Sequence, residues 1–244
     1  MKIKITVIIA FMLAYSTIAK SQVIISLLFG DKLNSEKLTF GLSVGNSWAH
    51  LSDYKTSSSL SNLNLGLFLS LQMSERFYLQ FDAMAKYRLG SKGLPVYHLN
   101  DSALDTLFAK GHVERQINYL GLVTTAQYRV FNYFNLELGP QIILRTKARD
   151  IFYTDRNDGT LKFEKDISDA ATRFDIGAMS GISYQLKGNG IKIGARYYFG
   201  FIDIFPQDAG SNTNRSFQIC GYIPVGRNKA LKKKQQQSAN GQTN

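Results

Sequence analysis

Apolar and polar residues alternate with a period of two along stretches of 10–15 residues, and nothing else in the chain constrains its fold as tightly. Successive side chains of a β-strand point to opposite faces. Strict alternation therefore marks a strand whose two faces meet different surroundings. From Leu38, the residues Leu38, Phe40, Leu42 and Val44 are apolar, and Thr39, Gly41, Ser43 and Gly45 lie between them. Leu63, Leu65, Leu67, Leu69 and Leu71 form a second row, against Asn62, Asn64, Gly66, Phe68, Ser70 and Gln72. A third segment sets Phe77, Leu79, Phe81, Ala83, Ala85 and Tyr87 against Tyr78, Gln80, Asp82, Met84, Lys86 and Arg88. A fourth, over residues 117–130, has Leu120, Leu122, Thr124, Ala126 and Tyr128 on one side. The fifth places Phe134, Leu136, Leu138, Ile142 and Leu144 outward and Asn135, Glu137, Gly139, Gln141 and Arg145 inward. The sixth sets Phe174, Ile176, Ala178, Ile182 and Tyr184 against Arg173, Asp175, Gly177, Gly181 and Gln185. The seventh sets Ile191, Ile193, Ala195, Tyr197, Phe199 and Phe201 against Lys192, Gly194, Arg196, Tyr198 and Gly200. The eighth sets Phe217, Ile219, Ile223 and Val225 against Ser216, Gln218, Cys220 and Tyr222.

Strand length narrows the class. Globular strands usually run to about five or six residues. Strands that cross a membrane at a tilt need roughly 9–11. The connections alternate as well: 73–76, 131–133 and 186–190 are short, whereas 50–61, 90–116 and 146–170 are long. Short turns at one end and long loops at the other are the bacterial outer-membrane arrangement. A backbone in hydrocarbon has no water to bond, so the sheet must close on itself, which an even strand count allows. The expectation is an all-β, eight-stranded antiparallel up-and-down transmembrane β-barrel with both chain ends on the short-turn, periplasmic side. A soluble lipocalin-like barrel would put its apolar face inside. The charged inward face argues against that, because a dry core does not tolerate such groups. Trp48, Phe77, Tyr87, Tyr119, Phe131, Tyr133, Phe134, Tyr184 and Phe201 lie near strand ends and suit interfacial girdles.

The start of the chain gives the compartment. Lys2 and Lys4 precede an apolar run over residues 5–14, and small residues Ala19 and Ser21 suit a cleavage site before Gln22. This reads as a secretory signal peptide over residues 1–21. The run is too short for a membrane anchor, which needs roughly 20 apolar residues. Residues 22–37 read as a periplasmic lead-in, 38–226 as the barrel and 227–244 as a basic, Gln-rich disordered tail. The lone cysteine, Cys220, excludes an internal disulfide and a structural zinc site. Of the formal charge of +11, three lysines leave with the signal and five basic residues sit in the tail, so the body is nearly balanced. That argues against nucleic acid as a partner despite a pI of about 9.6. The expected partners are outer-membrane lipid and a periplasmic or cell-surface protein.

At this point the sequence resembles the PorT-like outer-membrane β-barrel proteins of Bacteroidetes. The resemblance rests on NLNLGLFLSLQMSERFYLQFDAMAKY (62–87), INYLGLVTTAQYRV (117–130) and NLELGPQIILRTKA (135–148). It implies an outer-membrane location, a link to protein secretion through the founding member, and no catalytic residues. The tail after Gly226 departs from it, since no strand-final aromatic ends the chain.

The residues expected to matter are the inward charges. Asp82, Glu137 and Asp175 face Lys86, Arg88, Arg129, Arg145, Arg173, Lys192 and Arg196. Eight strands leave an interior just wide enough for side chains, so these groups should pair across the lumen as a plug. A small anion-preferring porin is the alternative. A second alternative is a rim enzyme using His50, His98 or His112 with Asp101 or Asp105, although their spacing matches no motif. Asp155, Asn157, Asp158 and Gly159 resemble a calcium loop, but its twelfth position holds Asp166 rather than Glu, so a plain turn is expected. No cofactor is expected.

Overall fold

The computed structural model describes residues 34–54, 58–156, 159–187, 190–208 and 210–226 of the 244-residue chain. The expected signal peptide, most of the expected lead-in, the expected tail, Asn157–Asp158 and Gly188–Asn189 lie outside the described residues. Among the described residues there are nine strands: β1 (Leu38–Leu51), β2 (Ser58–Gln72), β3 (Phe77–Leu94), β4 (His112–Phe131), β5 (Phe134–Arg156), β6 (Gly159–Asp166), β7 (Phe174–Gln185), β8 (Lys192–Asp203) and β9 (Thr213–Pro224). All pairings are antiparallel, and β1 bonds both β2 and β9. With β4 also paired to β5, and β5 to β7, eight strands close into a ring. The ninth, β6, lies outside it and pairs only with the far end of β5, from Arg149↔Asp166 to Arg156↔Gly159.

Closure follows from the alternation. Leu122, Leu136, Leu138, Ile176, Phe199, Phe201 and Ile219 point outward and are exposed, each more than 40%. The polar residues between them are buried, among them Gln80, Gln127, Gln141 and Ser216. Each large apolar side chain forgoes about 1.5–3 kcal/mol if it faces water. A continuous apolar belt of this kind is stable only against lipid. Aromatics edge it: Phe131 stacks on Phe134 at the short-turn end, with centroids 5.3 Å apart, and Trp48 on Phe217 near the other, 5.9 Å apart. No helix among the described residues is long and apolar enough to cross a membrane.

Two of the long connections differ from expectation. β3 and β4 continue past the belt and are joined through helix α1 (Ser102–Phe108), whose N-cap Asp101 accepts from the amides of Ala103 and Leu104. Within 146–170, β5 runs on to Arg156 and returns as β6. Of the stretch that resembled a calcium loop, Asp155 and Gly159 lie on this hairpin, opposite Thr160 and Arg156.

Two bulges alter which way side chains point. On β3 the register slips between Met84 and Tyr87, and on β5 between Arg145 and Lys147. An extra residue in a period-two element exchanges its faces. Tyr87 therefore points into the lumen, 1% exposed, and Lys86 points out. Tyr119 is likewise interior, so neither tyrosine belongs to a girdle.

Candidate functional site

The lumen is filled in layers. Near the short-turn end, Arg196 on β8 reaches Glu137 on β5 through two bonds, Nε to Oε1 at 2.8 Å and Nη2 to Oε2 at 2.9 Å. Its Nη1 donates to Asp82 on β3. Gln127 donates to Glu137 at 2.7 Å, and Gln80 donates to Asp82 at 2.7 Å. Lys192 donates to Gln127 at 2.9 Å and to Gln80, and lies 4.7 Å from the Tyr222 ring centroid. Two cations and two carboxylates on three strands, β3, β5 and β8, thus cancel. Bidentate Arg–carboxylate geometry is the kind that holds a buried pair together. Glycines make room for it: a Cβ on Gly181 would lie 2.8 Å from Arg196 Cγ and 3.0 Å from Glu137 Oε1. The small inward residues are therefore space for large neighbours.

Above this layer comes a septum. Tyr87 accepts from Gln218 at 2.8 Å and from Gln141 at 3.2 Å. Met84, Tyr119, Met179, Tyr198, Ile143, Ile117, Leu89 and Leu51 pack around it as one buried cluster. Asp175 lies here and accepts from Asn214 at 2.8 Å.

At the long-loop end the septum forms the floor of a cup of about 500 Å³. On its wall, Arg115 on β4 and Asp150, its direct cross-strand neighbour on β5, pair through Nε–Oδ1 and Nη2–Oδ2 bonds, both 2.8 Å. The Arg115 guanidinium lies over the Phe205 ring, 4.1 Å from its centroid, and reaches Asp208 at 3.0 Å. Tyr97 donates to Asp150 at 2.9 Å and Tyr54 to Asp208 at 2.8 Å. Burial pushes the Tyr54 hydroxyl up to about 12 against the pull of Arg115, and burial with Asp150 beside it raises Tyr97 further. Both phenols are therefore neutral donors at any physiological pH. Leu94, Val96, Ile167 and Phe205 supply apolar wall.

Asp82, Glu137, Lys192 and Arg196 thus meet as one network, and the other expected members do not join it. Lys86 and Arg88 are on the outside, because the β3 bulge turned them. Arg173 is exposed ahead of β7. Arg145 is half-buried at the upper end of the lumen and donates to the Thr172 carbonyl at 3.1 Å. Arg129 lies at the short-turn mouth, bonded to Gln185 at 3.0 Å and 4.8 Å from the Tyr78 ring centroid. Asp175 has no ion pair among the described residues and is held by an amide instead. His98 touches Asp105 at 3.3 Å, His112 stacks on Tyr153, and His50 sits on β1 opposite Arg215, so the three histidines occupy separate places. Among the described residues no cluster could hold a metal ion. Sequence reasoning missed Arg115, Asp150, Tyr54, Tyr97 and Asp208. The period-two run Val113, Arg115, Ile117, Tyr119 was the available signal for the first of them.

A closed eight-stranded ring with an oily exterior, a polar packed interior and elaborated connections at one end defines an outer-membrane β-barrel. Residues 29–206 match the outer membrane protein beta-barrel domain, and the chain belongs to that family. Its place is the outer membrane. No curated protein matches the chain in sequence. Among solved structures it is similar to Ail, the attachment invasion locus protein of Yersinia pestis, at 11% identity, with a TM-score of 0.40 over 77% of this chain and 99% of that one. Neisserial surface protein A is similar at 13% identity and TM-score 0.40, over 78% and 99% of the two chains. OprG from Pseudomonas aeruginosa is similar at 15% identity and TM-score 0.33, over 77% and 91%.

Proposed function

We propose that the protein is a sealed barrel, without a catalytic role, that works as an interaction module through the cup at its long-loop end. The observation that carries this reading is the contrast between the two parts of the interior. The lumen is spanned by the neutral Arg196–Glu137–Asp82–Lys192 network and its septum, whereas the cup stays open. In the usual topology short turns are periplasmic, so the cup faces the cell exterior. Four carboxylates, Asp150, Asp166, Asp169 and Asp208, line it against Arg115 and Lys165. Apolar wall under net negative charge suits a protein segment that presents an apolar side chain beside a basic one. The signal peptide over residues 1–21 delivers the chain for export, and the basic tail over 227–244 makes a periplasmic contact. The resemblance to PorT-like barrels supports a place beside a protein-secretion apparatus.

The test is a photo-crosslinking amino acid placed in intact cells at Val96 and Ile167 on the cup, and at Lys37 at the opposite end. Protein adducts from the cup positions are expected, and they should vanish with Arg115→Ala. Adducts from Lys37 alone would replace this reading with a periplasmic accessory role.

A further inference from the structure

A second cavity, of about 610 Å³, lies on the outside of the barrel, where β2, β3, β4 and β5 change character together. Going up β2, the outward leucines end at Leu63 and Ser61 follows. On β4 they end at Leu120 and Asn118 follows. On β5 they end at Leu144, and Thr146 and Lys147 follow. On β3 the apolar row ends at Ala85, and the bulge then presents Lys86 and Arg88. A shared switch on four neighbouring strands marks the level where hydrocarbon gives way to headgroups. The bulges on β3 and β5 fall at this switch on either side of β4, and the cavity lies between them.

The lining is basic without a counter-charge. Lys86 is exposed, and Arg88 donates through Nε to Asn118 Oδ1 at 2.8 Å. The Thr146 hydroxyl donates to the Asn118 carbonyl at 3.1 Å. No carboxylate lines the cavity, and neither Lys86 nor Arg88 forms an ion pair among the described residues. Further along the same face, Glu164 is engaged by Arg149 and Lys162, and Glu114 by Gln116. At the edge of the bilayer two cations meet the headgroups, where an anionic group attracts them. Leu63 and Leu120, 47% and 41% exposed, continue the same surface downward as a track for acyl chains.

We propose that this groove binds the phosphate-bearing headgroup of an outer-leaflet lipid, with Lys86 and Arg88 as its phosphate ligands and Leu63 and Leu120 against its chains. The proposal is independent of what occupies the cup. It is tested on the full-length mature protein in detergent micelles by native mass spectrometry, with bis-phosphorylated lipid A as the probe and phosphatidylcholine as the comparison lipid. Retained lipid A adducts are expected on the wild type, and about tenfold weaker retention on the Lys86→Gln/Arg88→Gln variant. The Lys86→Arg/Arg88→Lys variant should retain it. If the neutral double variant does not fold, Lys86→Gln alone reads the same effect, since that side chain is exposed. Undiminished adducts on the neutral variants would overturn the proposal, as would equal retention of phosphatidylcholine. Displacement of the lipid by matched inorganic phosphate would reassign the groove to a free anion.

Discussion

Arg196 donates to two carboxylates at once, and that determines what its loss would do. Truncation leaves Asp82 and Glu137 facing each other, both buried, with Lys192 as the remaining cation. Breaking a buried pair by removing one partner costs about 3–5 kcal/mol, far more than an intact pair contributes. Arg196→Met should therefore lower the barrel's stability by about that much, read as a shifted urea midpoint of heat-modifiable migration. An unchanged midpoint would mean that water reaches the network and screens it. Asp82, Glu137, Lys192 and Arg196 were legible as inward charges because they lie in unbroken alternation. Lys86, Arg88 and Tyr87 were not, because the extra residue in β3 leaves no mark in composition and exchanges the faces beyond it. The gathering of Gln80 and Gln127 into the network was also hidden, since it is set by the register between strands.

The strands outrun the membrane, and this explains most of what was misread among the elements. On β4 the outward residues turn polar above Leu120, while Arg115, Ile117 and Tyr119 continue inward. On β5, Ala148, Asp150 and Phe152 continue inward in the same way above Thr146. The outward apolar row is what marks each strand in the sequence, and beyond its end the cup residues read as loop. What ends there is the lipid, and the hydrogen-bonded ladder goes on. The elements above the belt carry exposed carboxylates that stabilise them. Lys162, hydrogen-bonded to Glu164, holds that carboxyl below its ordinary range, and Ser168 does the same for Asp166. The Leu99 amide, with His98 beyond it, lowers Asp105. A group whose folded value is depressed stabilises the fold above its ordinary value, near about 4, and loses that contribution as pH falls through the folded one. Hydrogen-exchange protection should therefore fall in Gly159–Asp166 and Ser102–Phe108 as pH drops from about 5 to about 3. The lower part of β3, inside the closed ring, should keep its protection. A uniform loss over all strands would contradict this division between rim and barrel.

At the scale of the whole molecule, closure was the most legible property. Eight alternating segments, short and long connections in turn and apolar rows almost free of charge imply an edgeless sheet in lipid, and β1 paired to β9 supplies the closure. The ninth strand could not be read the same way, because β6 faces no lipid and carries Lys162, Glu164 and Lys165 in place of an apolar row. The interior then divides into an open cup at the long-loop end and a packed middle. Arg196, Glu137, Tyr87, Tyr119 and Tyr198 together leave none of themselves more than a few per cent exposed, so an ion would have to displace buried side chains to cross. Planar-bilayer recording of the refolded full-length mature protein tests this most directly. The expected result is insertion without conductance steps, in the wild type and in Arg196→Met alike, because the septum of Tyr87, Tyr119 and Tyr198 still spans the lumen when the network is cut. Regular steps from the wild type, altered in anion selectivity by Arg196→Met, would contradict it and make the lumen the working part.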